Sequence, residues 1–305
     1  MRGQRSSRLS YRPHYLIHRL GIFAFSINCL LISIIVSIYY VWPLTSYRWR
    51  DLSWREFHEL CNDGRCISVV PCGSIEQHGL HLPLGTDLGI AYLLSERAVE
   101  EAWKAGHRVL LLEGVAVGVS DMWSGNPGTL WVSIDSFISY VSDYILAIFK
   151  NNIRRVIVVN AHGGNSDALK IALRRATSNL DPSYRAYLIN YWEFVGDIID
   201  ATFKNRFFHA DEVETSIASS LGISVKMEGR DIPFENIKRP YSDMWHSLSL
   251  SQRPRVYFFY REGEYMRIGA FGEPGRYSRE KGDIIIRAFI DRFLQLLGDI
   301  AQGSI

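Results

Sequence analysis

The sequence predicts an α/β protein with a mostly parallel sheet that is flanked by helices and preceded by one N-terminal transmembrane helix. The α/β fold is predicted because short apolar, strand-like runs alternate with stretches of helical length. Strands that alternate with helices of this length form parallel sheets that are covered on both faces. The membrane helix is predicted by one charge-free apolar run near the N-terminus.

The composition is that of an ordinary globular protein. The chain has 305 residues, of which 47% are hydrophobic and 22% are charged. This length suits one large α/β domain or two small ones. The formal net charge is only +2, so no overall field favours a nucleic acid as partner.

The N-terminal region divides into a basic segment, 1–19, and the run "LGIFAFSINCLLISIIVSIYYVW" at 20–42. A run of this length spans a bilayer as a helix, and its terminal tyrosines and tryptophan form an aromatic belt. Arginines before the run favour a single-pass membrane protein with an extracytoplasmic catalytic domain. The alternatives are a buried core helix and an upstream extension that is not translated, either of which would make the protein cytoplasmic. The length of the run and the lack of a small-residue cleavage site after it disfavour a cleaved signal peptide.

The remaining chain is predicted to be a linker at 43–52 and one domain at 53–305. Ser53 and Glu56 have the spacing of a capping box, which starts the first helix. Helices are predicted at 53–62, 87–106, 135–151, 166–180 and 278–300. Strands are predicted at 66–73, 108–115, 154–161 and 184–192.

Four cysteines in a chain of this length do not form a disulfide framework. Cys61 and Cys66 flank the sequence "NDGR", and their spacing alone does not establish a bond. We expect free thiols, with pairing as the alternative if the domain lies in an oxidising compartment.

The loop "GSIEQHGLHLPLGTD", residues 73–87, follows the first predicted strand and is rich in metal-ligand side chains. Ligands bind beyond the carboxyl ends of such strands. Glu76 and His78 are two residues apart, so in an extended loop they point to the same side. Asp87 starts the next helix, where it is either an N-cap or a third ligand. Carboxylates with imidazoles suit Zn²⁺, Mn²⁺ or Fe²⁺.

A second loop, "NAHGGN" at 160–165, follows the third predicted strand. His162 is either a structural histidine or a ligand; its place at the same sheet edge favours a ligand. Gly163 allows a close approach of the backbone to a bound group. Asn160 and Asn165 are predicted to orient the loop or the imidazole.

The segment "FHADEVETSIASSLG", residues 208–222, is predicted to begin a buried helix. Asp211 and Glu212 are explained as partners of the helix dipole. Glu214 is followed by small and apolar residues, so its carboxylate should point inward and needs a partner.

The motifs "VVPCGSIEQHGLHLPLGTD", "NAHGGN" and "HADEVETS" together resemble the creatininase family of metal-dependent amidohydrolases. The segments "GVSDMWSGNPGTL" and "GAFGEPGRYSREKG" are similar to further parts of that family. The resemblance covers about residues 53–298 and leaves out the N-terminal region.

The resemblance implies a metal site, position by position. The implied ligands are Glu76, His78, Asp87, His162 and Glu214, with Asp87 bridging two ions. His209 matches the catalytic or substrate-binding histidine of the family.

The resemblance also implies residues that contact the substrate. Ser120 matches a substrate-contacting serine, and Trp123 lies in the same loop. Backbone N–H groups of Gly73, Ser74 and Gly163 are predicted to help hold the oxyanion.

The sequence departs from creatininase itself at two places. Creatininase carries an acidic ligand where this chain has Gly164, and many relatives carry Glu-His where this chain has Met122 and Trp123. The "HGGN" form is similar to the deformylase of deazaflavin biosynthesis and to the mycofactocin precursor peptidase. In those relatives we expect the glutamate of "ETS" to complete the site.

The predicted function is that of a hydrolase acting on carbon–nitrogen bonds other than peptide bonds, with two Zn, Mn or Fe ions per subunit. The substrate is a cyclic amide, a formamide or a peptide amide. The alternatives are a membrane-anchored peptidase of the mycofactocin-maturation type and a non-catalytic metal-binding module. The resemblance also implies a homo-oligomer, since family members assemble as hexamers.

Overall fold

The computed structural model describes residues 46–204, 209–227, 231–234 and 268–305, together with Leu250 and Val256. The basic segment 1–19 and the transmembrane helix predicted at 20–42 lie outside these residues. Within the described residues, no helix is both long and apolar enough to cross a bilayer.

Four parallel strands form the described sheet, in the order β2-β1-β3-β4. The strands are β1 (Ile67–Cys72), β2 (Val109–Leu111), β3 (Arg155–Asn160) and β4 (Arg185–Asn190). Ile67 is in register with Val109 and Arg155, so all strands begin at one edge and end at the other. The predicted parallel sheet is confirmed, although β2 is shorter than the predicted run.

Eight α-helices lie within the described part of the chain. They are α1 (Trp54–Cys61), α2 (Thr86–Lys104), α3 (Ile134–Lys150), α4 (Ser166–Thr177), α5 (Tyr191–Phe194), α6 (Gly196–Thr202), α7 (Glu212–Leu221) and α8 (Arg279–Gln302). The predicted capping box at the start of α1 is confirmed, because Ser53 accepts from Glu56 N and the Glu56 carboxylate accepts from Ser53 N.

The core lies on both faces of the sheet, because the strands carry buried apolar residues on each face. Successive side chains of a strand point to opposite faces. Val69 and Ile157 therefore pack on α2, α7 and α8, while Val70 and Val158 pack on α1, α3 and α4. Helices cover both faces of the sheet, so a ligand can reach the sheet at the ends of its strands.

Residues 46–52, predicted as part of a linker, lie against the edge of the sheet. Leu111 N donates to the Tyr47 carbonyl at 2.9 Å, and Arg48 forms a bridge with Leu111. Arg48 also contacts Glu96 of α2, with 2.7 Å between Nη2 and Oε1. The domain boundary itself stays a prediction.

Cys61 and Cys66 form a disulfide, so the expectation of free thiols was wrong. The intervening turn reverses at Gly64, whose φ of +70° suits a residue without a side chain, and Gly64 N donates to the Cys61 carbonyl. The turn places the two Cα atoms 5.3 Å apart, within the range that a disulfide spans. Spacing in sequence could not reveal this because it depends on the turn.

Replacing both cysteines by Cys61→Ser and Cys66→Ser should lower the free energy of unfolding by about 2 kcal/mol, because the unfolded chain regains the freedom of the closed loop. Urea unfolding followed by circular dichroism measures the change. A reductant should destabilise the natural chain equally and leave the double variant unaffected. Four reactive thiols in the unfolded, unreduced natural chain would contradict the bond.

Candidate metal centre

The ligand residues predicted from sequence converge at the carboxyl edge of the sheet. Glu76 and His78 follow β1, Asp87 lies in the first turn of α2, His162 follows β3 and Glu214 lies in the first turn of α7. Each of these side chains is buried. The chain thus brings five residues from four segments to one place.

The loop after β1 is closed by its own backbone. Glu76 N donates to the Leu84 carbonyl at 2.9 Å, which returns the chain toward α2. At Gly73 a Cβ atom would lie 2.4 Å from Leu88 N, so the strand can approach the start of α2 only without a side chain. This close approach places Asp87 beside the ligands of the loop.

Two groups of three potential ligands share Asp87. One group is Glu76, Asp87 and His162; the other is His78, Asp87 and Glu214. Asp87 Oδ2 lies 3.1 Å from His162 Nδ1, and Asp87 Oδ1 lies 2.9 Å from His78 Nε2. The potential ligand atoms of each group lie within 4.8 Å of one another, so a bridging carboxylate between two cations fits this arrangement.

Backbone carbonyls orient both imidazoles. His78 Nδ1 lies 3.0 Å from the Glu76 carbonyl, and His162 Nε2 lies 2.8 Å from the Val119 carbonyl. A carbonyl only accepts, so these two nitrogens carry the protons in the neutral rings. The opposite nitrogens, His78 Nε2 and His162 Nδ1, therefore face the carboxylates as lone-pair donors.

Two buried carboxylate oxygens have no hydrogen-bond partner among the described residues, Glu76 Oε1 and Asp87 Oδ2. Buried charged oxygens are costly without a partner. Both atoms face His162 Nδ1, at 3.4 and 3.1 Å. Their chemistry and position fit a divalent cation held by carboxylate and imidazole.

Without cations, protons on the imidazoles balance the carboxylates. Burial raises the pKa of Glu76 to about 7, against the attraction of His162. Burial opposes the charged form of His162, but Glu76 and Asp87 outweigh it and raise its pKa to about 9. Likewise, Asp87 and Glu214 outweigh burial at His78 and raise its pKa well above the usual range.

Hydroxyl groups support the first group of ligands. Ser74 Oγ donates to Glu76 Oε2 at 3.2 Å and lies 2.5 Å from Ser120 Oγ. Ser120 Oγ is also 3.2 Å from His162 Nε2. Ser120, predicted to contact the substrate, is fully buried and touches the ligand residues themselves.

An asparagine pair anchors the loop of His162. Asn160 and Asn190 are in register on β3 and β4, and Asn160 Nδ2 donates to Asn190 Oδ1 at 2.9 Å. His162 N donates to Asn160 Oδ1, while Glu193 accepts from Asn190. Asn190 and Glu193 were not predicted; only their place at the end of the fourth strand could have indicated them.

The backbone of Gly73 is engaged at both its carbonyl and its N–H. Asn165 Nδ2 donates to the Gly73 carbonyl, and Val119 N donates to Asn165 Oδ1. Gly73 N donates to the Val115 carbonyl at 3.1 Å. The predicted use of the Gly73 N–H for an oxyanion is therefore wrong.

His209 lies beside the two groups of ligands. Its ring stacks on Trp123, with centroids 4.7 Å apart and planes 18° apart, and lies 4.6 Å from the ring of His78. Its Nε2 is 3.0 Å from the Gln77 carbonyl, so Nδ1 faces Glu76 Oε1 at 3.8 Å. Burial, together with the nearby His78, holds the pKa of His209 well below its usual range.

Trp123 and Gln77 both position His209. Trp123, predicted as a substrate contact, is only 5% exposed, so its stacked ring lies mostly under the surface. The Gln77 amide nitrogen also lies 3.0 Å from His209 Nε2, but two N–H groups do not bond to each other, so the Gln77 carbonyl is the partner that holds the ring. The Gln77 Oε1 accepts from Gly79 N. Gln77 was missed in the sequence because it stands between two stronger candidates, Glu76 and His78.

The start of α7 carries Glu214 toward His78. Asp211 caps the helix by accepting from the backbone N–H groups of Val213 and Glu214. Ala210 has a φ of +47°, a left-handed conformation that costs a residue with a side chain. Its N–H donates to Glu214 Oε2 at 2.5 Å, which holds the segment of His209 beside the ligand.

His81 links the ligand loop to α7. Its Nε2 lies 2.9 Å from Thr215 Oγ1, and the residue is fully buried. Burial lowers the pKa of His81 to about 4, so its ring is neutral. Among the described residues, His81 belongs to none of the groups of potential ligands. Its hydrogen bond with Thr215 gives it a structural role instead.

Gly164 has no room for a side chain. A Cβ atom there would lie 2.2 Å from the Val119 carbonyl oxygen and 2.6 Å from His162 Nε2. An acidic ligand at this position would displace the carbonyl that orients His162. Gly163 lies in the same turn, half-buried next to Leu250.

The family model described as creatininase, creatinine amidohydrolase, matches residues 50–297. Creatinine amidohydrolase of Pseudomonas putida is 26% identical over 187 residues, which cover 56% of this chain and 70% of that protein. A mycofactocin precursor peptide peptidase of Mycolicibacterium smegmatis is 37% identical over 106 residues, which cover 34% of this chain and 42% of the peptidase.

The described fold is also similar to solved structures. A structure named creatininase Mn superposes with a TM-score of 0.64 at 20% identity and covers 83% of this chain and 97% of its own. At this identity the likeness concerns the fold alone.

Asp87→Asn should remove metal from both groups at once, because one carboxylate serves both. We expect the metal content of the purified chain to fall by at least about half, since a neutral amide is a weak ligand. Plasma emission spectrometry measures the content. Asp167→Asn, an exposed aspartate of α4, is the matched control; full metal retention in the Asp87 variant would exclude the shared site.

Metal affinity should rise with pH, because an incoming ion displaces protons from His78 and His162, whose pKa values are raised in the metal-free protein. The apparent Kd should fall roughly tenfold per pH unit for each displaced proton between about pH 6 and 9. Calorimetry in buffers of different ionisation enthalpy counts these protons. A Kd that does not change with pH would contradict the assignment.

Proposed function

Because the chain belongs to the creatininase family, we propose that it is a metal-dependent amidohydrolase that cleaves a C–N amide bond with a metal-activated water. The observation that carries this proposal is the sharing of Asp87 by two buried groups of ligands. Glu76 and His162 would hold one ion, His78 and Glu214 the other. The donor set suits Zn, Mn or Fe, two ions per subunit.

A bound pair of ions would supply a nucleophilic water near neutral pH and polarise the amide carbonyl. The protein supplies the geometry: the backbone contacts of His78 and His162 fix which nitrogens face the ions, and Ser74 with Ser120 fixes Glu76. These contacts keep the ligands in place before substrate arrives, so little reorganisation remains for the reaction.

His209 is the residue that would move the proton. Its Nε2–H is engaged by the Gln77 carbonyl, so Nδ1 is the basic atom toward the ligands. A neutral imidazole accepts the proton of the attacking water at Nδ1 and passes it to the leaving nitrogen. Trp123 stacks on the ring and keeps this atom directed inward.

The substrate would enter between Trp123 and the turn at Gly163. The half-buried position of Gly163 leaves its backbone near the ligands, where its N–H would stabilise an oxyanion.

A second candidate is a membrane-anchored peptidase that trims a peptide. It is favoured by the 37% identity with the mycofactocin precursor peptide peptidase. The two candidates use the same ligands and differ in substrate only. A panel of cyclic amides, formamides and peptides, assayed with the metal-loaded chain, separates them; no turnover of any amide would refute both and favour a non-catalytic metal-binding module.

We also propose a single-pass membrane protein with the domain outside the cytoplasm. The charge-free run at 20–42 supports the anchor, and the Cys61–Cys66 disulfide is typical of an oxidising compartment. A reporter enzyme fused after Ile305 tests the topology, and activity of a cytoplasm-only reporter would refute it. A hexamer, typical of the family, is tested by light scattering of the purified chain.

His209→Gln should lower kcat by about 10²- to 10⁴-fold, because the proton transfer loses its base. The metal content should stay unchanged, since Glu76 and His78 each keep their partners. His58→Gln, at an exposed position of α1, is the control. A loss of metal in the His209 variant would instead assign this histidine to the ligands, together with Glu76 and His78.

A further inference from the structure

A cluster of arginines lies at the amino edge of the sheet, opposite the metal centre. The parallel register aligns the starts of all four strands. Each start carries an arginine at its first residue or within the two residues before it. We call this cluster the basic edge; its members are Arg65, Arg108, Arg154, Arg155 and Arg185.

The positive charge of the basic edge is only partly balanced. Asp63 pairs with Arg65 at 2.7 Å and with Arg108 at 2.8 Å. Among the described residues, no carboxylate lies within 4 Å of the other three arginines, Arg154, Arg155 and Arg185, although Asp181 lies near enough to Arg154 to feel its charge. The described residues therefore leave at least two of these charges uncompensated.

The fold holds these charges in a fixed arrangement. Arg155 and Arg185 are paired in register on neighbouring strands, so their side chains leave the sheet on the same side. Arg154 lies across the disulfide loop, since a Cβ atom on Gly64 would be 3.1 Å from its Nε. Positive charges that are held close together add up to a larger local potential, which attracts an anionic surface.

We propose that the basic edge binds the anionic phospholipid headgroups of the membrane in which the N-terminal run is anchored; this inference rests on the proposed membrane location. Guanidinium groups match phosphate oxygens in geometry and charge. The attraction acts only within about a Debye length, roughly 8 Å at physiological salt, so the edge must lie at the membrane.

The position at which the chain enters the domain supports this partner. The uncharged run ends at Trp42, four residues before Ser46, the first described residue. Arg48 forms a bridge with Leu111, the last residue of β2, which lies three residues after Arg108. Three residues of strand span about 10 Å, so the entry point lies close to the basic edge.

The contact would orient the domain. Strands β1 and β3 have six residues each and separate the basic edge from the metal centre by about 20 Å. Headgroup binding at the basic edge would therefore direct the metal centre away from the membrane. Substitutions of the arginines in the basic edge should leave turnover unchanged.

The test uses the full chain in lipid nanodiscs of phosphatidylcholine, with or without phosphatidylglycerol. Ser183→Cys places a probe two residues before Arg185, and Cys29→Ser removes the competing N-terminal thiol. The labelling rate of the probe by a neutral, water-soluble maleimide reports its exposure. Ser136→Cys, an exposed serine in the first turn of α3, is the matched control.

We expect the anionic lipid to slow labelling at position 183 by at least about fivefold, the effect of one arginine near an anionic surface. About 0.5 M salt, or the triple change Arg154→Gln, Arg155→Gln and Arg185→Gln, should remove the effect. The control position should label equally in both discs. The lipid and salt comparisons use the natural arginines, so they hold even if the triple variant does not fold.

Equal labelling at position 183 in both discs would overturn the headgroup contact while leaving the anchor in place. Alkaline carbonate extraction of vesicles tests the anchor separately. A chain that is extracted would refute the membrane location and this inference with it, and the metal content and amide turnover would still decide the proposed activity.

Discussion

The burial of three carboxylates and two imidazoles at one sheet edge is the constraint on which the rest of the structure depends. Charged groups removed from water are tolerated only with partners close by and correctly oriented. The parallel sheet brings these partners together, because the ends of β1 and β3 lie in register and the start of α2 approaches β1 at Gly73. Even the asparagine pair on β3 and β4 serves to hold the backbone of His162.

Much of this could be predicted from the sequence, because local patterns determine it. Alternating apolar strands and helices predict the parallel sheet, and ligand residues placed directly after strands predict their meeting at one edge. The disulfide, the tautomers and the contacts of Ser120 could not be predicted. They depend on the turn at Gly64, on backbone carbonyls and on side-chain packing, which no spacing in the sequence encodes.

In the candidate metal centre, the backbone contact that orients His162 excludes a side-chain ligand at Gly164. With the Val119 carbonyl so close to Gly164, the loop after β3 supplies an imidazole and no carboxylate. The carboxylate comes from Glu214 in the first turn of α7, where exposed N–H groups favour a negative charge. This arrangement includes a left-handed backbone conformation at Ala210, and the N–H of Ala210 donates to the Glu214 carboxylate. One segment therefore holds both Glu214, a candidate ligand, and His209, the proposed proton-transfer residue.

The two unpartnered oxygens of Glu76 and Asp87 have a consequence outside catalysis. Ions that bind the folded chain and not the unfolded one stabilise it by mass action. The chain without ions is thus the one that unfolds and is degraded first. In a cell, the abundance of this protein would follow the supply of its metal, so scarcity of the ion would remove idle copies by proteolysis without any dedicated sensor.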